Sequence, residues 1–376
     1  METGLNFMMD YQHELNELIE KIEQLNYSLE RTQLLEQALK LAEFNQDEKT
    51  QFMLRLDLMS STSNSGQFHL SFIHLAWCLD KCDKFPEKFS IEHVLHMYEN
   101  ICQALGDYSS ITYEQGLKQL NDFGNRMVNA GFDKRSYLKL LIHYQIDCGH
   151  DEAAYTAFKE LLSLLKDEYD YESTWELHSV VQYHIHFKEI ELAEQKATLL
   201  YRAHLNGMNV PDYLYLSMIE IAFHQKKYSY LPNLLDKHYE FIDINARTLR
   251  VQSKYIYFQC LLGEKEKAMT AFETAQSYYF DLIAEWYQFY FFCYNRCLFR
   301  LLCNLNIDEV QINVLPKWEF FNPSHVYNTN ELYTYFNKMV LEKATVLDKK
   351  NGNTKYDDYQ KEILSQVDEN HIYQEG

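Results

Sequence analysis

Glycine and proline are scarce in this chain, 11 and 5 among 376 residues, too few to punctuate a protein made of many short strands and tight turns. Long helices joined by short connections are expected instead. The 8 cysteines form no C-x-x-C pair and no regular framework, which excludes a disulfide-stapled scaffold and suits reduced thiols. Basic residues are outnumbered, 35 Lys and Arg against 55 Asp and Glu, for a net charge of −20. That field repels phosphate backbones and anionic lipid, so neither direct nucleic-acid binding nor membrane binding is expected, whereas a basic protein partner would be attracted. Acidity is also the ordinary way a soluble protein stays soluble. No uninterrupted apolar run spans a bilayer, because Gln288, Asn295, Arg296 and Arg300 break the stretch from Trp286 to Cys303, which reads as a buried aromatic helix. Met1 to Leu15 is acidic and polar where an export signal needs a basic start and an apolar run, so a cytoplasmic protein is expected. Gly-rich phosphate loops, the G-x-S-x-G elbow and H-E-x-x-H are all missing, and no enzyme is expected.

What the chain has in quantity is aromatic side chains, 15% of residues with 30 Tyr and 23 Phe, suited to interdigitation between stacked helices. A weak signature returns along the sequence about every forty residues. Gly263 is followed by Ala268, Phe272 and Ala275, and Gly149 by Ala154, Phe158 and Leu161; Ser71, Leu75 and Cys78 hold the same offsets after Gly66. Looser copies run from His186 to Ala193, Ala197 and Leu200, and from Tyr228 to Leu231, Leu235 and His238. The residue opening each second helix marks the phase at Arg31, Ser71, Gly116, Ala154, Ala193, Leu231 and Ala268, in steps of 40, 45, 38, 39, 38 and 37. Such a period implies helical hairpins that bury their apolar faces only by stacking on their neighbours.

Residues 1–27 then form an N-terminal amphipathic helix, 28–280 the repeats, 281–347 a C-terminal helical cap and 348–376 a polar tail. Ser28 is an expected N-cap and Gly131 a C-cap. Ser61 to Gly66 reads as the turn inside a hairpin, Pro211 as the opening of a helix, and Pro232 as a first-turn residue. Val310 to Leu315 is a candidate extended stretch. The tail is polar enough to be mobile, with Tyr356 to Val367 able to form a short helix.

On these residues, above all Gly263 with Ala268, Phe272 and Ala275, the chain resembles the tetratricopeptide-repeat class over most of residues 28–280. The resemblance implies an all-α fold, a right-handed α-solenoid of helix-turn-helix repeats with an N-terminal helix and a C-terminal cap. It implies binding of a protein or peptide along the surface made by the first helices, without catalysis or cofactor. The Rap/Rgg-type peptide-responsive regulators are more distant relatives by this resemblance and supply the alternative function. Their ligands are often clamped by inner-helix asparagines. Here Ser136–Asp147, Thr174–His186, Asp212–His224 and Leu249–Leu261 contain no Asn.

The candidate partner-binding residues are those projected from the first helices: Tyr137, Lys139, His143, Asp147, Trp175, His178, Gln182, Tyr213, Ser217, Glu220, His224, Arg250, Lys254 and Tyr257. Flat side chains mixed with hydrogen-bonding groups make protein-binding surfaces; packing between repeats is the competing account of the same residues. The sharpest metal candidate is His74 with Cys78 and Cys82, four apart on one helix face, and it motivates a metal-dependent enzyme as a lesser alternative. Core packing is the simpler account of that trio, because Cys78 falls where the repeat needs a small residue. The sequence does not name the partner or the oligomeric state.

Overall fold

The computed structural model describes every residue except 1, 27, 65–66, 166–172, 209–213, 243–247, 281, 283 and 370–376. The expected Pro211 opening lies outside the described residues. Among those described the fold is helical almost throughout. In chain order the elements are α1 (Glu2–Glu23), α2 (Leu29–Phe44), α3 (Glu48–Asn64), α4 (Phe68–Lys84), α5 (Ile91–Gln103), α6 (Tyr113–Asn129), α7 (Arg135–Cys148), α8 (Asp151–Ser163), α9 (Ser173–His186), α10 (Ile190–Leu205), α11 (Leu214–His224), α12 (Leu231–Phe241), α13 (Leu249–Leu261), α14 (Lys265–Tyr279) and α15 (Glu285–Asn304). A two-stranded antiparallel ribbon of β1 (Glu309–Gln311) and β2 (Val326–Asn328) follows, then α16 (Thr329–Asn351) and α17 (Lys355–Glu369). No helix is long and apolar enough to cross a membrane among the described residues. The chain divides into two compact units, residues 1–105 with 114–144, and residues 106–113 with 145–376.

In the first unit α1, α2, α3 and α4 pack in succession and α5 covers α3 and α4. Leu15 and Ile22 of α1 meet Leu35, Ala38, Leu39 and Ala42 of α2 and Leu54 and Leu58 of α3 in one apolar cluster. The Ser28 hydroxyl accepts from the Arg31 amide at 3.1 Å, starting α2 as an N-cap should. Arg31 itself is half-buried and donates to the Ile22 and Leu25 carbonyls, closing the end of α1. The expected turn at Ser61–Gly66 begins later than its composition suggests, because α3 continues through Asn64. Its hydroxyls are satisfied internally: Ser61 pairs with Thr32 at 2.7 Å, and Thr62 donates to the Leu58 carbonyl and pairs with Ser71. A serine- and threonine-rich stretch can stay helical when its hydroxyls find such partners. Gly116 and Gly124 of α6 give room to the Tyr144 and Tyr137 rings of α7, where an added Cβ would overlap them.

In the second unit α9, α11 and α13 each lead through a tight turn into the next, even-numbered helix, as the end of α7 does into α8, and from α9 to α15 successive odd helices also touch. α9 packs on α10 and α11, α13 on α14 and α15, and α11 meets α13 through the Phe223 and Phe258 rings, 5.7 Å apart. Each of these turns, and the one that closes α15 before the ribbon, carries one residue at positive φ: Gly149 (77°), Lys188 (61°), Lys226 (57°), Gly263 (74°) and Asn306 (55°). The amide after it reaches back five residues, as His150 to Gln145, Glu189 to His184, Lys227 to Ala222, Glu264 to Gln259 and Ile307 to Leu302. This is the Schellman closure, which satisfies carbonyls left open at a helix end. One turn chemistry thus recurs at the interval seen in the sequence, and it also closes α10 at Gly207 and α16 at Gly352. On the even helices Ala154, Ala193, Leu231 and Ala268 are fully buried, as the repeat phase requires. Pro232 sits in the first turn of α12, behind a short 3-10 turn at Tyr228–Tyr230.

The C-terminal elements depart further from expectation. α15 is the long aromatic helix, with Phe289, Phe291, Phe292, Tyr294 and Phe299 all buried. The extended stretch is real but shorter, Glu309–Gln311, and pairs with a second strand that the sequence did not announce. Within the polar tail expected at 348–376, the helix expected at Tyr356–Val367 is present and slightly longer, as α17, and α16 runs on to Asn351 before it. α17 buries Tyr356, Gln360, Ile363 and Val367 and packs on α13, α15 and α16. It stays in place through polar anchors. The buried Arg296 guanidinium donates to Asn337 Oδ1 at 2.9 Å, to Gln360 Oε1 at 2.6 Å and to the Gln360 carbonyl at 2.7 Å.

Candidate functional site

The open end of α7 organises one side of the second unit. Its last carbonyls have no helical partners, and groups more than two hundred residues away supply them. Asn353 donates to the Cys148 carbonyl at 2.6 Å, the Tyr356 hydroxyl to that of Asp147 at 2.6 Å, and the Lys355 ammonium to that of Ile146. A cation at a helix C-terminus also suits the helix dipole. Beside it, the 106–113 loop is held by Lys350 donating to the Gly106 carbonyl at 2.7 Å, the Trp286 amide donating to the Asp107 carbonyl at 3.2 Å, and the Ser109 amide donating to Glu285 Oε2 at 3.1 Å.

Asp107 and Asp147 stand within each other's field, and their charges and that of Arg250 of α13 act on Tyr287 and Tyr290 of α15. Burial, reinforced by the charge on Asp147, holds the Asp107 carboxyl well above the usual carboxylate range, while Lys350 and Arg250 oppose that shift. The charge of Asp107 is the largest influence raising the Tyr287 phenol, followed by burial. Arg250 lies over the rings of Trp286 and Tyr290, its guanidinium carbon 5.0 and 5.6 Å from their centroids, a cation–π arrangement.

A polar ladder continues across the odd helices. His178 and Gln182 of α9 both reach the buried Ser217 hydroxyl of α11, at 2.8 and 2.6 Å. One turn on, Glu220 pairs with Lys254 of α13 at 2.7 Å. Burial depresses the Lys254 pKa and Glu220 opposes it. Tyr257 is buried and donates to Gln366 of α17.

The expected contact residues therefore divide. His178, Gln182 and Ser217 form one cluster, Glu220 and Lys254 another, and Arg250 and Asp147 belong to the carboxylate and aromatic group. Trp175, 40% exposed, and His224 face solvent. Tyr213 lies outside the described residues. Tyr137, whose hydroxyl donates to Asn121 at 2.8 Å, belongs with Lys139 and His143 to the first unit. Asp107, Tyr287, Tyr290, Lys350 and Lys355 are the neighbours that the sequence reading missed. The spacing of the repeats gives no sign of them, because a loop and the C-terminal helices supply all five.

His74, Cys78 and Cys82 do not make a metal centre. Arg55 approaches His74 Nδ1 at 3.2 Å, and burial pushes the Cys78 thiol up to about 12 and that of Cys82 to about 11. Among the described residues no three His, Cys, Asp or Glu side chains are grouped to hold an ion. Cys78 is a core residue, at the position where the repeat packs tightly. Neither any protein-family model nor any curated protein sequence matches the chain.

Proposed function

We propose that the chain is a tetratricopeptide-like, right-handed α-solenoid that works as a non-enzymatic scaffold or adaptor, binding a protein or peptide partner and acting by occlusion or recruitment. The observation that supports this reading is the run of helix pairs in the second unit, α9 with α10, α11 with α12 and α13 with α14, in which successive odd helices touch. A repeated surface of this kind suits extended ligands better than a single reaction centre. The net charge of −20 favours a basic partner, speeding encounter more than it tightens the complex. A cytoplasmic toxin, effector or enzyme subunit would be a natural client.

The test is affinity capture with the full chain, followed by titration of the captured protein against wild type and Trp175→Ala/His224→Ala. A partner held at micromolar affinity or better, and weakened about tenfold by the double variant, supports the reading. Failure to retain any stoichiometric partner overturns it. The alternative, a Rap/Rgg-type sensor, would show thermal stabilisation by a small peptide with no protein partner.

A further inference from the structure

We propose that the groove between α1 and α2 in the first unit is the contact through which two copies of this chain pair about a twofold axis, α1 against α1. The groove measures about 380 Å³ and is lined by Leu18 and Leu41, both half-buried, and by the exposed Glu14, Glu17, Lys21 and Lys40. Among the described residues Glu14, Lys21 and Lys40 form no hydrogen bond or ion pair, and Glu17 is engaged by His13 of the preceding turn at 3.4 Å. Leu15 and Ile22 of α1 turn inward to the apolar cluster, so the groove is the outer side of the same hairpin. Two large apolar side chains extend it. Leu29 and Phe44 stand at the two ends of α2, 52% and 74% exposed, on the helix face that also carries Lys40. Exposed apolar groups gathered around a groove mark a surface that is covered in use.

The placement of the charges selects the occupant. Glu14 and Lys21 are two helical turns apart, so they share a face and stand about 10 Å from each other along the axis. Glu17 and Leu18 lie midway between them. A second α1 laid antiparallel about that midpoint brings its Lys21 to Glu14 and its Glu14 to Lys21, with the two Leu18 side chains near the axis. This is the isologous pattern, in which one residue meets a second and the second meets the first. The groove carries two carboxylates and two ammoniums, so a purely basic or purely acidic segment gains nothing there, whereas a copy matches both signs. The net charge of −20 repels a copy at long range, but that repulsion is screened beyond about 8 Å at physiological ionic strength.

The experiment is sedimentation velocity of the full chain at about 150 mM salt, over a concentration series. The wild type should form a reversible dimer in the micromolar range. Glu14→Lys and Lys21→Glu should each weaken it at least about tenfold, because each sets like charges opposite each other twice. An equimolar mixture of the two variants should restore the dimer, since every contact then joins a lysine to a glutamate, and the chain carrying both reversals should pair with itself. Both positions are exposed, circular dichroism checks the fold of each variant, and neither recovery can come from an unfolded chain. A wild type that stays monomeric throughout, a dimer indifferent to the reversals, or a loss that neither the mixture nor the double variant repairs each overturns the pairing. A monomeric wild type whose partner capture is weakened by the same reversals gives the groove to the partner and also overturns it. The scaffold reading, tested at Trp175 and His224, stands or falls separately.

Discussion

His238 is wholly buried on α12 against Tyr255, and neither ring nitrogen has a hydrogen-bond partner. Burial lowers its pKa from 6.5 to about 4. Between those values the unfolded chain takes up a proton that the folded chain refuses. The stability this residue contributes is therefore complete above pH 6.5 and is lost as pH falls toward 4, by on the order of 3 kcal/mol. Replacing it with leucine should remove that dependence and raise stability at pH 7 by about 1 kcal/mol, since no unpaired polar group stays in the core. Urea denaturation at pH 7 and at pH 4.5 measures both effects. An unchanged difference between the two pH values in His238→Leu would show that the residue does not titrate in this way. His74, lowered to about 4 by burial and by Arg55, adds a second loss of the same sign in the first unit.

At the scale of elements, the turns are where local sequence and structure agree least evenly. Among the described residues of the second unit, Gly149, Gly207, Gly263 and Gly352 supply the left-handed residue at some turns, yet Lys188, Lys226 and Asn306 do so at others that close in the same way. Lys226, exposed and at φ 57°, carries a strain that glycine lacks, so Lys226→Gly should stabilise the protein by about 0.5–1 kcal/mol. Gly149→Ala should do the reverse by about 2 kcal/mol or more, because φ is 77° and a Cβ would stand 2.8 Å from Asn353 Nδ2. Thermal or urea melts of the two variants check the opposite signs. These turns explain how much was legible. The spacing survives in the sequence through the small residues at Ala154, Ala193 and Ala268, whose side chains must fit a tight crossing. The ribbon and the anchoring of α17, whose helix was expected at Tyr356–Val367, were obscure for a different reason. β1 and β2 are three residues each, too short for an alternation to register. α17 is fixed largely by Asn353, Lys355 and Gln360, polar residues whose partners lie far away in the chain, and such residues look like a solvated tail until those partners are known.

For the second unit as a whole, α17 is structural. Deleting residues 353–376 would remove Lys355, Tyr356 and Asn353 as donors to the carbonyls of Ile146, Asp147 and Cys148 and take Gln360 from the Arg296 guanidinium, which would keep Asn337. Hydrogen bonds to a charged group contribute about 1.5–3 kcal/mol each, and α17 also carries the buried Tyr356, Ile363 and Val367, so the shortened chain should lose cooperative unfolding of this unit. Hydrogen exchange and circular-dichroism melts would register the change, and a shortened chain melting like the full one would show α17 to be dispensable. The first unit, whose apolar cluster from α1 to α3 draws on none of these residues, should keep its protection. The candidate site was legible only in part for the same reason: Arg250 and Asp147 fall on predicted helices, but Asp107 comes from a loop and the closing lysines from the far end of the unit.

The fastening of Asp147 to Tyr356 spans 209 positions. During translation at roughly 5–20 residues per second, the helix bearing Asp147 leaves the ribosome well before the tyrosine that secures it has been made. For that interval the Asp147 carbonyl has no tyrosine to accept from, and the closing of this part of the unit waits for nearly the last of the described chain to be made.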